Sequence, residues 1–187
     1  PAKLGRDGHP QTGFFLPRLP LPRRLWAGGE VDVVGPLHPG DHVTKTSTVR
    51  DVKFKQGRSG NLGFVEVEHT YSVGGAVRIR ERQVLVYRAD PSPDRPAPEP
   101  PQAADLPEEI ATRAFTVVHG PMQAVWMQNL AARLLGRQAR FFRYRGLSPL
   151  TVGYDVKVEA RQEDDVLDLR VRRRADNVVT MTARAEL

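Results

Sequence analysis

Gly120-Pro121-Met122-Gln123-Ala124-Val125-Trp126-Met127-Gln128-Asn129-Leu130-Ala131-Ala132-Arg133-Leu134-Leu135-Gly136 is the stretch on which the fold turns. Met122, Trp126, Leu130 and Leu134 recur every fourth residue, and Val125 and Leu135 widen that stripe, so the spacing predicts an amphipathic helix over about 121–135. Pro121 suits the first helical position, where a missing N–H loses no bond, and Gly136 ends the helix after Arg133 in its last turn. Such a stripe must be buried against something. The surface for it follows directly: Tyr154 to Ala160, Val166 to Arg173 and Val178 to Ala185 alternate apolar with polar residues, divided by the turns Gln162-Glu163-Asp164-Asp165 and Ala175-Asp176-Asn177.

Upstream, a second strand set reads out of β-branched and alternating residues. Val43 to Phe54 and Leu62 to Tyr71 flank the turn Gln56-Gly57-Arg58-Ser59-Gly60-Asn61, and Gly74-Gly75 leads into Ala76 to Tyr87. Between the two sets lies the Pro-rich run Asp90 to Pro101, which can form neither helix nor central strand. The expected organisation is an N-terminal unit over residues 1–88, a linker over 89–108 and a C-terminal unit over 109–187. The fold class is α+β: antiparallel strands wrapped around one central helix, a hotdog, here doubled. The N-terminal unit has no helix of its own and reads as incomplete, and Pro1 to Gly29 shows no periodicity.

Composition limits the chemistry. With no cysteine among 187 residues, disulfides, thiolate metal sites and thiol nucleophiles are all excluded. The net charge of +6 favours anionic partners, either nucleic acid or the phosphates of coenzyme A, for which the forked donors of Arg are suited; a plain solvated surface fits the charge equally well. No run approaches the roughly 20 apolar residues of a membrane helix and no charged-then-apolar leader opens the given sequence, so a cytoplasmic location without membrane contact is expected, the alternative being that a leader has been removed. No Gly-x-Ser-x-Gly elbow is present, and Gly57-Arg58-Ser59-Gly60 lacks the Lys-Ser/Thr ending of a phosphate loop.

Several segments resemble one family. Val118-His119-Gly120-Pro121-Met122 is similar to the His-Gly segment that opens the central helix of hydratase-type hotdog proteins. Leu4-Gly5-Arg6-Asp7-Gly8-His9-Pro10, Gly13-Phe14-Phe15-Leu16-Pro17 and Leu21 to Gly29 resemble the opening of the itaconyl-CoA/mesaconyl-C4-CoA hydratase family, related to MaoC-like and hydroxyacyl-thioester dehydratases. Arg80-Glu81-Arg82-Gln83 before Tyr87-Arg88, and Phe141 to Arg145 before Pro149-Leu150, extend the likeness over most of the chain. Two departures stand out. Family members have a helical region ahead of the stretch that begins here at Pro1. Between the counterparts of Phe115 and Val117 they also carry a segment with an Asn or Asp followed by His, whereas Thr116 here runs straight into Val117. Either this numbering closes over residues that the protein contains, or a deletion has removed them; the first is preferred, because a deletion would discard the acid-base pair and keep its scaffold.

The resemblance implies a hydro-lyase acting on an acyl-CoA, a short branched or dicarboxylic enoyl thioester of the mesaconyl, itaconyl or methylfumaryl kind. It implies no metal and no organic cofactor, no nucleic acid, and a homodimer. Such chemistry needs donors for the enolate oxygen and a base for water. Gly120 is the implied oxyanion donor, since a helix N-terminus offers unpaired N–H groups and Gly lets a carbonyl approach; the alternative is a glycine that only starts a helix. His119 either orients substrate or is a satisfied structural residue. Met122 and Gln123 in the first turn are assigned to substrate, Met122 with core packing as the alternative, and Arg143 and Arg145 to a coenzyme A phosphate or an exposed strand. His9, His38, His42 and His69 read as surface or loop residues, and Arg170-Val171-Arg172-Arg173-Arg174 as a solvated edge. Two rivals remain: a hotdog thioesterase using Asp105, Glu108 or Glu109, and a non-catalytic acyl-thioester-binding subunit.

Overall fold

Alternation along the chain produces nine strands and one helix in the computed structural model, which describes residues 4–5, 9–57, 60–90, 108–113, 120–151 and 153–187. The N-terminal strands are β1 (Arg23–Val33), β2 (Val43–Gly57), β3 (Gly60–Val73) and β4 (Ala76–Arg88). After them come β5 (Glu108–Arg113), the helix α1 (Gly120–Leu135), β6 (Phe141–Gly146), β7 (Asp155–Glu163), β8 (Val166–Arg173) and β9 (Val179–Glu186). All pair antiparallel in a single sheet of order β2-β3-β4-β1-β6-β9-β8-β7-β5. The β3–β4 turn uses Gly74 and Gly75 at φ of 55° and 82°, the left-handed pair that a two-residue hairpin requires.

Two strands appear where none was expected. β1 grows out of Leu21 to Gly29, whose paired glycines hide its alternation, and β5 lies at the end of the Pro-rich region. β1 also joins the halves: Gly28 and Gly29 stand opposite Arg145 and Tyr144 of β6. A Cβ on Gly28 would lie 2.5 Å from the Tyr144 carbonyl oxygen, so only glycine lets the two strands close at this point.

α1 packs on β6 to β9. Its buried face is Gln123, Ala124, Met127, Leu130 and Ala131, set against Phe142, Tyr144, Val156, Val158, Leu169, Val171 and Met181. This corrects the expected stripe, since Met122 and Val125 are 50% and 49% exposed. Leu130 of the stripe is buried and Trp126, Leu134 and Leu135 pack partly buried against the same core, but the face is rotated towards Gln123, Ala124 and Ala131, residues that a count of large apolar side chains passes over. In the N-terminal half, Val65, Val67, Leu85 and Tyr87 are covered by Leu16, Leu19 and Leu21, so the aperiodic opening segment supplies the apolar lid there.

The basic run is not a solvated edge. β8 lies inside the sheet between β9 and β7, and Arg172 is 4% exposed. Arg170 and Arg172 both donate to the buried Glu159 carboxylate, Arg170 Nε at 2.5 Å and Arg172 Nε at 3.0 Å, and Arg172 also reaches Asn177. Burial pushes the Glu159 carboxyl up, but the two guanidinium groups outweigh it and hold the group below the ordinary carboxylate value.

Candidate active site

The geometry follows from strand direction. β5 ends at Arg113 opposite Asp155, β6 ends at Gly146 opposite Met181, and α1 starts over Met181, so all three meet at one end of the sheet. Residues 114–119 connect β5 to α1 at that end; His119 and the Thr116–Val117 junction fall among them and lie outside the described residues.

Gly120 opens α1, and no acidic side chain in the first turn offsets the positive end of the helix dipole. The fold does not require glycine here. Its φ is not in the left-handed region, and among the described residues a Cβ would meet only Met181 Cε at 3.7 Å, an ordinary contact. The leading N–H groups of a helix lack intrahelical partners, and a residue without a side chain leaves a carbonyl room to approach them.

The other expected residues separate. Met122 lies exposed beside Gly120. Gln123 is 3% exposed, and its Oε1 accepts a hydrogen bond from Thr180 Oγ1 at 2.7 Å, which ties α1 to the N-terminal end of β9. Arg143 and Arg145 alternate with the buried Phe142 and Tyr144 and therefore project from the face opposite α1, where Arg143 pairs with Glu30. They do not converge with Gly120, because successive strand residues face opposite sides. Glu108 and Glu109 begin β5, the end away from α1's N-terminus, and Asp105 lies outside the described residues.

His69 is also corrected. It is 8% exposed on the helix side of the sheet, with Nδ1 2.8 Å from Ser47 Oγ and Nε2 3.3 Å from Gln83 Oε1. Beside it Tyr71 donates to Glu81 at 2.9 Å. Tyr144 reaches across Gly29 towards this group, and burial, reinforced by the Glu81 charge, pushes its hydroxyl far above the usual phenol value. Strand parity was the missed signal, since His69 shares a face with Val65 and Val67.

Residues 1–116 match the family model of hydroxyacyl-thioester dehydratase type 2. The chain is also 30% identical over 220 aligned positions to mesaconyl-C4-CoA hydratase of Chloroflexus aurantiacus, an alignment spanning all of this chain and 78% of that protein. The chain belongs to the hydroxyacyl-thioester dehydratase type 2 family. It is accordingly a hydro-lyase with a hotdog architecture. Solved structures agree on the fold: HtdX from Mycobacterium tuberculosis has a TM-score of 0.67 at 16% identity, covering 88% of this chain and 77% of that one. A MaoC-like dehydratase from Phytophthora capsici gives 0.59 at 14%, covering 97% and 79%. An acyl-ACP thioesterase from Bacteroides thetaiotaomicron gives 0.64 at 9%, covering 87% and 75%, a likeness of fold alone. The alignment to the hydratase is longer than the 187 residues of this chain, so that relative carries internal residues without a counterpart here.

Proposed function

We propose that the protein adds water reversibly to an enoyl-CoA with a short branched or dicarboxylic acyl group of the mesaconyl, itaconyl or methylfumaryl kind, working as a cytoplasmic homodimer without metal or organic cofactor. The relative named mesaconyl-C4-CoA hydratase supports the substrate class. The observation that carries the reaction is Gly120 at the mouth of α1, a glycine that neither φ nor packing among the described residues demands. Its N–H polarises the thioester carbonyl and holds the enolate oxygen. Water adds through oxygen to the β-carbon as the carbonyl accepts the electron pair; the base that took the water proton returns it to the α-carbon, and the carbonyl re-forms. The acid-base groups belong to a segment at the Thr116–Val117 junction, between β5 and α1 along the chain.

Steady-state hydration of the full-length protein, followed as loss of the conjugated enoyl absorbance, tests this reading. Gly120→Pro removes the N–H at a position where helices tolerate proline, and turnover should fall about 10²- to 10³-fold. A folded variant with undiminished turnover would refute the assignment. Sequencing the encoding DNA across Thr116–Val117 decides whether the acid-base segment is present.

A further inference from the structure

Trp26 faces the helix side of the sheet because β1 carries one extra residue. It stands opposite Leu85 of β4, which is itself opposite the buried Val65, whereas Gly28 stands opposite Val84 and Arg145 on the other side. Residues two apart in a regular strand share a face. The register shift between Trp26 and Gly28 breaks that rule and leaves Ala27 as the bulge residue, the kind of irregularity that re-aims a side chain beside a cleft. Once turned, the indole is held. Its N–H donates to the Gly28 carbonyl at 3.0 Å, the Tyr144 ring meets it at 63° with centroids 5.9 Å apart, and it packs half-buried on the core that α1 covers.

Next to Trp26 the helix side of β6 is bare. Gly146 ends that strand two residues after the buried Tyr144, so it shares the Tyr144 face, and it stands opposite Met181. Among the described residues, a Cβ on Gly146 would meet nothing closer than two main-chain oxygens, those of Ala27 at 3.5 Å and Trp26 at 3.7 Å, and a Cβ on Gly120 would meet only Met181 Cε. Neither glycine has a left-handed φ, so backbone conformation requires neither. Together they leave a slot with Gly146 as its floor, Met181 and the first residue of α1 on one side, and the Trp26–Tyr144 pair on the other. Neighbouring strands lie about 4.8 Å apart, so the main chains of β9 and β1 stand roughly 10 Å apart across β6, a width that their side chains reduce to that of one small flat group. A conjugated enoyl thioester is such a group. An indole of fixed orientation offers it a broad apolar wall, and Tyr144, at the next position on this face of β6, limits the depth.

We propose that Trp26 is a specificity-determining residue: its indole, seated on Tyr144, is the wall against which the enoyl group lies, and the bare floor at Gly146 takes a methyl branch of the acyl chain. The assignment rests on the reading in which Gly120 receives the thioester oxygen, and it adds a physical reason for selecting short branched acyl groups over long straight ones. Hydration of three thioesters by the full-length protein tests it: fumaryl-CoA, its methyl-branched counterpart mesaconyl-CoA, and straight-chain oct-2-enoyl-CoA. Trp26→Ala removes the wall and should raise the octenoyl-to-mesaconyl ratio of kcat/KM about tenfold or more. Gly146→Ala, unstrained at this φ, places a methyl on the floor and should lower the mesaconyl-to-fumaryl ratio about tenfold, the discrimination expected for one methyl group in an apolar pocket. Binding is read separately from turnover. Trp126→Phe leaves Trp26 the sole tryptophan, and its emission should change on titration with succinyl-CoA, which is saturated and cannot be hydrated, but not with free coenzyme A. An unchanged ratio in either variant, or emission that responds alike to succinyl-CoA and coenzyme A, would overturn the proposal. Emission that responds to the acyl group alone, with none of the three enoyl thioesters hydrated by the wild type, would refute the hydratase reading and leave the slot assignment standing.

Discussion

At the scale of single residues, Gly120 separates a structural from a chemical role. Alanine is a better helix former than glycine, and its methyl would find only ordinary contact with Met181 among the described residues. Gly120→Ala should therefore leave the melting temperature unchanged or slightly raised, while the methyl obstructs the carbonyl and lowers kcat/KM about tenfold or more. Thermal melts and steady-state rates on the same preparation check both halves. His69 presents the opposite case, a polar side chain whose place is set by the sheet face it occupies. His69→Leu leaves the Ser47 and Gln83 groups without their shared partner and should cost about 1–3 kcal/mol in urea unfolding.

At the scale of elements, β7 and β8 are locked by Glu159 between Arg170 and Arg172. Glu159→Gln keeps the shape but leaves two largely buried guanidinium groups without their counter-charge, a loss expected at about 3–5 kcal/mol by chemical denaturation. Replacing all three by apolar residues of similar volume should restore most of it. Because the folded Glu159 pKa is lowered below 4.5, its contribution is complete above that value and is lost as pH falls through the lowered one. The wild type should thus lose more stability than Glu159→Gln between about pH 5 and pH 2, a difference visible in denaturation midpoints. The basic run Arg170 to Arg174 looked solvated because sequence shows the cations and not the single carboxylate, eleven residues from Arg170, that strand pairing brings opposite it.

At the scale of the whole molecule, the two halves are one sheet because β1 and β6 approach through Gly28 and Gly29. Gly28→Val would press side-chain carbon against the Tyr144 carbonyl and should destabilise by about 1–3 kcal/mol or more, with the loss of protection in hydrogen exchange centred on β1 and β6. Much of the architecture was legible beforehand. The strands β2, β3, β4, β7, β8 and β9, the helix and the likeness to the dehydratases all follow from period-two and period-four spacing and from motifs such as Val118 to Met122, since these depend on neighbours along the chain. Ends of elements and Gly120 are equally local: a Gly-Pro pair before an apolar stripe marks a helix start by itself. What only the tertiary structure decided is which residues share a face and which end of the sheet they reach. Arg143 and Arg145 face away from α1, Gln123 bonds Thr180 from the far side of the C-terminal half, and His69 lies inside rather than at the surface. The physical reason is that strand register and helix phase are set by packing between segments distant in sequence, which no local spacing contains.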